Sequence, residues 1–316
     1  MPHFLVLLNA NAGTLLDRDA EEVRTLVAEG LNGAGRTAEI HLLRGKAFVR
    51  AIRGSGTGEH EVVIVGGGDG SVSLAVRSLD GTGKTLGILP LGTLNLLATD
   101  IGMPRDLTEA IAALRTAQTA AIDVATLNGR RFHTISGLGF FSQMARARET
   151  VRRWGLWRFF AVAVAAFNAL RRSGRFDLEV TVDGAPHRFS AFAALLSVNR
   201  FTGPGWRRSR LDEGVLELTI AEDRGALALL KAGADMMTDN WRGNPGIISL
   251  TGREITLRRP HRARSWVSTD GELGREQMPL VYKVVPRGLK LLIPAATAGI
   301  SQTTDQTDAP QSGSIS

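Results

Sequence analysis

The sequence predicts an α/β plus β chain: an N-terminal doubly wound parallel sheet, then a C-terminal antiparallel β-sandwich. Three observations carry this reading. Before about residue 125, short continuous apolar runs alternate with stretches of helical periodicity, the pattern of a parallel sheet covered by helices on both faces. After Asp123, short strand-like runs follow one another with turn signals between them, the pattern of an antiparallel sandwich or barrel. The charge changes at the same place: residues 1–125 carry 11 Lys+Arg and 14 Asp+Glu, residues 126–296 carry 27 and 15. A length of 316 residues suits about two domains, because one core rarely grows much beyond ~250 residues.

Phe4–Leu8 is an apolar strand that runs into the turn-like Asn9-Ala10-Asn11-Ala12-Gly13. Asp17–Leu31 has helical periodicity with early acids, which suit a helix N-terminus. Ala38–Leu43 reads as a strand, Lys46–Arg53 as a helix, Glu61–Val65 as a buried strand, Ser71–Leu79 as a helix and Leu86–Leu89 as a buried strand. In the second half, Ser142–Arg153 and Leu156–Arg172 read as helices. Phe176–Val182, Phe189–Val198, Val215–Ile220, Glu254–Arg258, Ser265–Ser268, Leu280–Val285 and Leu289–Ile293 read as strands. Asp183-Gly184 is a strong hairpin signal. The tail 297–316 is rich in Ser, Thr, Gln and Gly and is expected to be disordered.

Composition removes several chemistries. With no cysteine, disulfides, thiolate nucleophiles, Cys-ligated zinc and iron–sulfur clusters are excluded. The six histidines are scattered, with no pair at metal-binding helical spacing, which favours oxygen ligands for any metal. The basic second half suits contact with an anionic surface, nucleic acid or membrane, or else a solvated arginine-rich face. No recognised nucleic-acid reader is present, and Tyr282 is the only tyrosine for base stacking. The longest apolar stretch, Phe159 to Leu170, is well short of a membrane span. A cytoplasmic location fits, with peripheral attachment to the inner face of the cytoplasmic membrane as an option.

In Val62 to Ser71 an apolar strand enters Gly66-Gly67-Gly68-Asp69-Gly70 before a helix begins at Ser71. A backbone without Cβ atoms can approach a polyphosphate and present successive N–H groups to it, and the helix N-terminus adds positive charge. Asp69 is a poor phosphate contact but a good partner for Mg²⁺ or water. The next strand leads into Pro90-Leu91-Gly92-Thr93-Leu94-Asn95, where Thr93 can cap the following helix or donate to a phosphate. Two other glycine stretches read as turns. Gly81-Thr82-Gly83-Lys84-Thr85 lacks the first Walker glycine and precedes a strand, and Gly33-Ala34-Gly35 runs from helix to strand.

These loops, taken in order, resemble the diacylglycerol-kinase catalytic-domain superfamily, above all its bacterial lipid kinases. Sphingosine and ceramide kinases are relatives, and NAD kinases are more distant. Asn9-Ala10-Asn11-Ala12-Gly13 corresponds to the family's Asn-Pro-x-x-Gly nucleotide loop, Asp123-Val124 to its interdomain aspartate, Leu211 to Leu216 to its acidic Asp-Gly segment, and Asp270-Gly271-Glu272 to its late Asp-Gly-Glu. The resemblance implies a lipid kinase that uses ATP and Mg²⁺ on a diacylglycerol-like or related lipid at a membrane surface. It implies a nucleotide domain 1–124 completed by about 289–296, and a lipid-substrate domain 125–288. ATP would lie on Asn9, Asn11, Gly13, Gly66, Gly67, Gly68, Asp69, Gly70, Ser71, Thr93 and Asn95. Glu272 would be the general base, with Asp270 nearby in the cleft. Asp69 and Asp123 would belong to an Asp–water–Mg²⁺ network. A structural Mg²⁺ would sit on Glu213 and the main-chain carbonyls of Arg210 and Val215.

Independently, phosphoryl transfer needs positioning, charge neutralisation and a hydroxyl-orienting carboxylate rather than covalent machinery. Read without the upstream loops, Asp270-Gly271-Glu272 is simply a hairpin turn. The chain departs from the family pattern at Ala10 for proline, Ser71 for threonine, Leu74 for a frequent glutamate, Leu96 for a polar residue and Glu213 for aspartate. The alternatives are an NAD-kinase-like enzyme with a soluble acceptor and a catalytically inactive nucleotide- or membrane-binding homologue. Arg146, Arg148, Arg152, Arg153 and Arg158 flank Trp154 and Trp157, and Trp206-Arg207-Arg208 and Arg258, Arg259, Arg262 and Arg264 extend the basic character. Tryptophan with arginine suits a lipid headgroup boundary.

Overall fold

The computed structural model describes residues 3–15, 19–31, 37–142, 175–202, 207–222, 242 and 244–295. The helices read over Ser142–Arg153 and Leu156–Arg172, Trp206, the Gly33-Ala34-Gly35 turn and the tail lie outside them, Ser142 excepted.

The first half is built from β1 (His3–Asn9), a 3-10 turn at Gly13–Leu15, α1 (Ala20–Leu31), β2 (Thr37–Leu43), α2 (Gly45–Gly54), β3 (Val62–Gly67), α3 (Asp69–Ser78), β4 (Thr85–Pro90), α4 (Leu96–Asp100) and α5 (Leu107–Thr116). Strands β4, β3, β1 and β2 lie side by side and parallel. β3 and β4 are buried from end to end, as strands covered on both faces must be. The path steps outward from β1 to β2 and back across β1 to β3. Right-handed crossovers therefore put α1 and α2 on opposite faces. α1 buries Val23, Val27 and Leu31 at helical spacing and packs on α5, while α2 packs on α3. α5 was legible but not expected: Asp106 accepts from the N–H groups of Thr108 and Glu109, and Leu107, Ala110, Ile111 and Leu114 are buried.

The second half is strand: β5 (Gln118–Leu127), β6 (Arg130–Phe132), β7 (Ile135–Gly139), β8 (Phe176–Val182), β9 (Ala185–Val198), β10 (Leu216–Glu222), β11 (Ile247–Gly252), β12 (Glu254–Arg258), β13 (Arg264–Thr269), β14 (Glu272–Gln277) and β15 (Leu280–Ile293). Among these strands every pairing is antiparallel. The β8–β9 turn is Asp183-Gly184, both at positive φ, as the hairpin signal predicts.

The two expected strands at Leu280–Val285 and Leu289–Ile293 are one, β15, interrupted by a register shift between Val285 and Leu289. Its first half pairs with β12. Lys290 and Leu291 then pair in parallel with Thr85 and Leu86 of β4. One strand thus joins the parallel and antiparallel parts. Two cores follow: one around β1, β3 and β4 that includes Leu291, and one around Phe132, Leu196, Leu257 and Tyr282. Tyr282 is buried in the second, so it presents no ring for stacking. No helix among the described residues is long and apolar enough to cross a membrane.

Candidate functional site

The loops after β1, β3 and β4 gather at the carboxyl edge of the parallel sheet, where ligands of such sheets bind. In the first, Asn9 Oδ1 accepts from Asn11 N at 3.0 Å, and Thr14 Oγ1 donates to Leu91 O at 2.9 Å, tying it to the third loop. The second and third loops touch backbone to backbone. A Cβ on Gly92 would stand 2.4 Å from Gly68 Cα, and one on Gly67 2.4 Å from Ser71 Oγ. These glycines are therefore required by packing as well as by any ligand. Gly13 and Gly70 have nothing within 4 Å of where a Cβ would stand, and Gly70 is exposed at the start of α3.

Asp69 stitches the loops together: its Oδ2 accepts from Asn95 N at 3.1 Å and its Oδ1 from Leu96 N at 2.7 Å. The expected cap of the following helix was Thr93, which instead lies exposed. The helix-end donors face β3's loop, so an aspartate 26 residues earlier reaches them first. Asn95, at φ 52, closes its own loop by accepting from Gly92 N at 2.9 Å and donating to Gly92 O at 2.8 Å.

α3 carries this edge to the far end of the sequence. Asp69, Ser73 and Arg77 are four residues apart and share one stripe of the helix. Ser73 Oγ donates to Asp270 Oδ2 at 3.2 Å, Arg77 Nη1 donates to Ser73 Oγ at 2.8 Å, and Arg77 Nη2 meets Glu272 Oε1 at 3.1 Å. Asp270 and Gly271, at φ 48 and 79, form the tight β13–β14 turn. The hairpin reading of the triplet is borne out, and that turn is what presents the two carboxylates.

The two carboxylates differ sharply. Asp270 is buried. It accepts from Thr134 N (2.9 Å), Thr134 Oγ1 (2.6 Å), His133 N (3.1 Å) and Ser73 Oγ, with His133 Nδ1 2.8 Å away. Burial pushes its pKa up, but the His133 ring and the hydrogen bonds from Thr134 outweigh this and hold the carboxyl well below the usual range. The Glu272 side chain is 46% exposed and, among the described residues, meets Arg77. Asp270 is thus closed off from solvent, whereas Glu272 is open to it. His133, Thr134, Ser73 and Arg77 were missed in the sequence, because nothing local marks residues that act across nearly 200 positions.

Asp123, on β5, is also buried. Its oxygens accept from Arg287 N at 2.8 Å and Gly214 N at 2.6 Å, and its own N–H donates to Leu211 O at 2.7 Å. The acidic 211–214 segment therefore wraps Asp123, beside a cavity of about 270 Å³ lined by Asp100, Ile122, Leu211 and Arg287 among others. Asp69 and Asp123 each accept one N–H bond per oxygen. That leaves each oxygen a lone pair for a further donor. Of Glu213, Arg210 and Val215, the first and last already have partners that compete with a cation. Glu213 accepts from Arg200 N at 2.9 Å and lies 3.7 Å from the Arg200 guanidinium, and Val215 O accepts from Asn199 N.

The basic residues divide. Arg208 is not at a surface: it is buried, bonded to Asp100 through its N–H and guanidinium and to the carbonyls of His133 and Val198. Arg259 lies 4.3 Å over the Phe176 ring, its pKa lowered by burial and by Arg262. Arg258, Arg262 and Arg264 are exposed.

A glycine-loop edge on a parallel sheet, joined by one helix to an acidic hairpin on an antiparallel sheet, defines a two-part α/β-plus-β fold. The model of the diacylglycerol kinase catalytic domain matches residues 3–127, and that of the YegS C-terminal NAD kinase beta sandwich-like domain matches 139–293. Together they span most of the chain, which belongs to the diacylglycerol-kinase catalytic-domain superfamily, in its bacterial lipid kinase branch. A Synechocystis protein, sll0036, is 25% identical over 244 residues, 73% of this chain but 54% of its own length. The diacylglycerol kinase of Staphylococcus haemolyticus is 23% identical over 258 residues, 78% of this chain and 76% of that protein. A Klebsiella pneumoniae protein named "Probable lipid kinase YegS-like" is 42% identical over 72 residues, 22% of this chain and 24% of its own. In fold, a diacylglycerol kinase from Bacillus anthracis superposes with a TM-score of 0.70 over 94% of this chain and 98% of that one, at 17% identity. These relationships support a phosphotransferase of the lipid kinase type.

Proposed function

We propose that this chain transfers the terminal phosphoryl group of ATP to a hydroxyl of a diacylglycerol-like lipid. The reading is supported above all by α3, whose first turn belongs to the glycine loops and whose Ser73 and Arg77 hold Asp270 and Glu272. ATP would lie along Asn9, Asn11, Gly13, Gly66–Ser71, Thr93 and Asn95, where main-chain N–H groups and the start of α3 favour phosphate. Bound Mg²⁺, reached through water from Asp69 and Asp123, would neutralise charge on the phosphates. Glu272 accepts the proton of the lipid hydroxyl as its oxygen bonds to phosphorus and the bond to ADP breaks. Arg77 orients Glu272, and Asp270 is a positioning residue that fixes the hairpin. Residues 1–124 with about 289–296 form the nucleotide domain and 125–288 the lipid domain. The exposed Arg258, Arg262 and Arg264 would meet an anionic leaflet, at about 1 kcal/mol each near the surface.

The test is radiolabelled ATP offered, with and without Mg²⁺, to diacylglycerol, phosphatidylglycerol, a sphingoid base and NAD. Mg²⁺-dependent label in a lipid fraction is expected. Label in the NAD product alone replaces the lipid acceptor with a soluble one, and no transfer to any acceptor overturns the reading.

A further inference from the structure

Spacing along the chain separates the histidines, but the parallel sheet brings His3 and His60 together at the edge opposite the glycine loops, with His41 further along β2. His3 opens β1, Glu39 and His41 lie two residues apart and so on one face of β2, and His60 lies two residues ahead of β3. β1 runs between β2 and β3, with His3 paired to Thr37 and Phe4 to Val62. The amino ends of all three strands therefore converge.

One donor atom from each of His3, Glu39 and His60 lies within 4.8 Å of the others. Glu39 Oε2 is 3.1 Å from His60 Nε2, and the His3 and His60 rings stack with centroids 4.7 Å apart. His60 Nε2 is shut off from solvent and makes no hydrogen bond despite that proximity, which is an uncommon state for a buried imidazole nitrogen. The outer contacts are those of a supported ligand set. His3 Nδ1 is tied to Thr37 Oγ1, and His41 Nε2 bonds Glu39 Oε1 at 2.6 Å. Such partners orient metal-binding side chains. The hydrogen bond from His41, opposed by burial and aided by the charges of His41, His60 and His3, holds the Glu39 carboxyl below its ordinary pKa.

We propose that His3, Glu39 and His60 bind a divalent transition metal of the zinc class, with solvent in the fourth position. Two imidazoles and one carboxylate suit zinc, whereas Mg²⁺ and Ca²⁺ prefer oxygen alone. Bond lengths of about 2.0–2.2 Å put tetrahedral donors roughly 3.3–3.6 Å apart. Glu39 and His60 are already near that spacing, and a rotation of the exposed His3 ring closes the rest. The metal would clip together the starts of three adjacent strands. Because the unfolded chain has no such site, binding would raise the unfolding temperature. The cluster lies at the amino ends of β1 and β3, whereas the glycine loops follow their carboxyl ends, and its test reads zinc binding and melting rather than kinase activity.

The full chain, free of any affinity tag and stripped with chelator, would be titrated with Zn²⁺ by calorimetry in saturating Mg²⁺ and melted with and without zinc. One equivalent of zinc, a Kd at least ~100-fold below that for Mg²⁺ and a raised Tm are expected. Glu39→Gln and His60→Asn should each weaken binding by at least ~10-fold and abolish the Tm rise, while His3→Ala checks the exposed ligand without touching the interior. Unchanged melting of the zinc-free variants would show that their fold survives. No zinc binding in the wild type, or equal binding in all three variants, would overturn the site.

Discussion

The glycine-loop edge and the Asp270–Glu272 hairpin meet on α3 yet are held by different means. In the loops the contacts end on main chain: Gly68 against Gly92, the Asp69 carboxylate on the N–H groups of Asn95 and Leu96, the Asn95 amide on Gly92. Each of these contacts spans fewer than 30 residues. The hairpin is bound by side chains from Ser73, Arg77 and Thr134, across 136 to 197 residues. Within it the two acids diverge again. Asp270 has its acceptor capacity filled by buried donors, whereas Glu272 has an ion pair with Arg77 and open access to solvent. A buried, fully bonded acid holds the hairpin, and the acid beside it stays open to solvent.

The largest break should come from Asp270→Ala, which strands the His133, Thr134 and Ser73 donors. Removing one partner of such a buried charged network costs about 3–5 kcal/mol, to be measured by urea denaturation. Its pH dependence has a definite sign. Because the folded carboxyl is held below its unfolded value, its stabilisation is complete above about pH 4 and drains away as pH falls further. Acid titration of stability should therefore be flatter in Asp270→Asn than in wild type; identical profiles would remove Asp270 from the hub. Next, Glu272→Gln should lower kcat by ~10²-fold, or about 2.7 kcal/mol, with melting nearly unchanged. Near-normal turnover would exclude Glu272 as the base.

Arg77→Ala should act more mildly, lowering kcat by ~10-fold, since it releases the base without removing it. A loss of stability with unchanged kcat would leave Arg77 a merely structural role. Smallest is Asp69→Ala, which removes a helix-end acceptor at about 1 kcal/mol of stability. Its sharper signature is a raised KM for ATP as the two loops part, and an unchanged KM would detach Asp69 from the nucleotide edge.

Much of the loop edge was legible because its determinants are local. Strand, glycines and helix start follow each other within ten residues from Val62 to Ser71, and backbone conformation responds to neighbours. The Thr93 cap was misplaced because the choice between two acceptors depends on which loop arrives nearer. Arg208 read as surface basicity, since a charge pattern cannot show that Asp100 waits inside. The histidines read as scattered because no two stand at helical spacing, whereas the packing of β1, β2 and β3 brings His3, Glu39 and His60 together.

The sequence alone determined the alternation of parallel strands and helices, the antiparallel second half, the glycine loops and the family, all properties written in short windows or in ordered motifs. Only the tertiary structure decided which acid is buried and which is open, that Ser73 and Arg77 link helix to hairpin, and that His3, Glu39 and His60 meet. Those outcomes depend on long-range pairing, above all β15 closing onto both β5 and β4. Burial, charge and hydrogen bonding between distant residues are set only once that pairing exists.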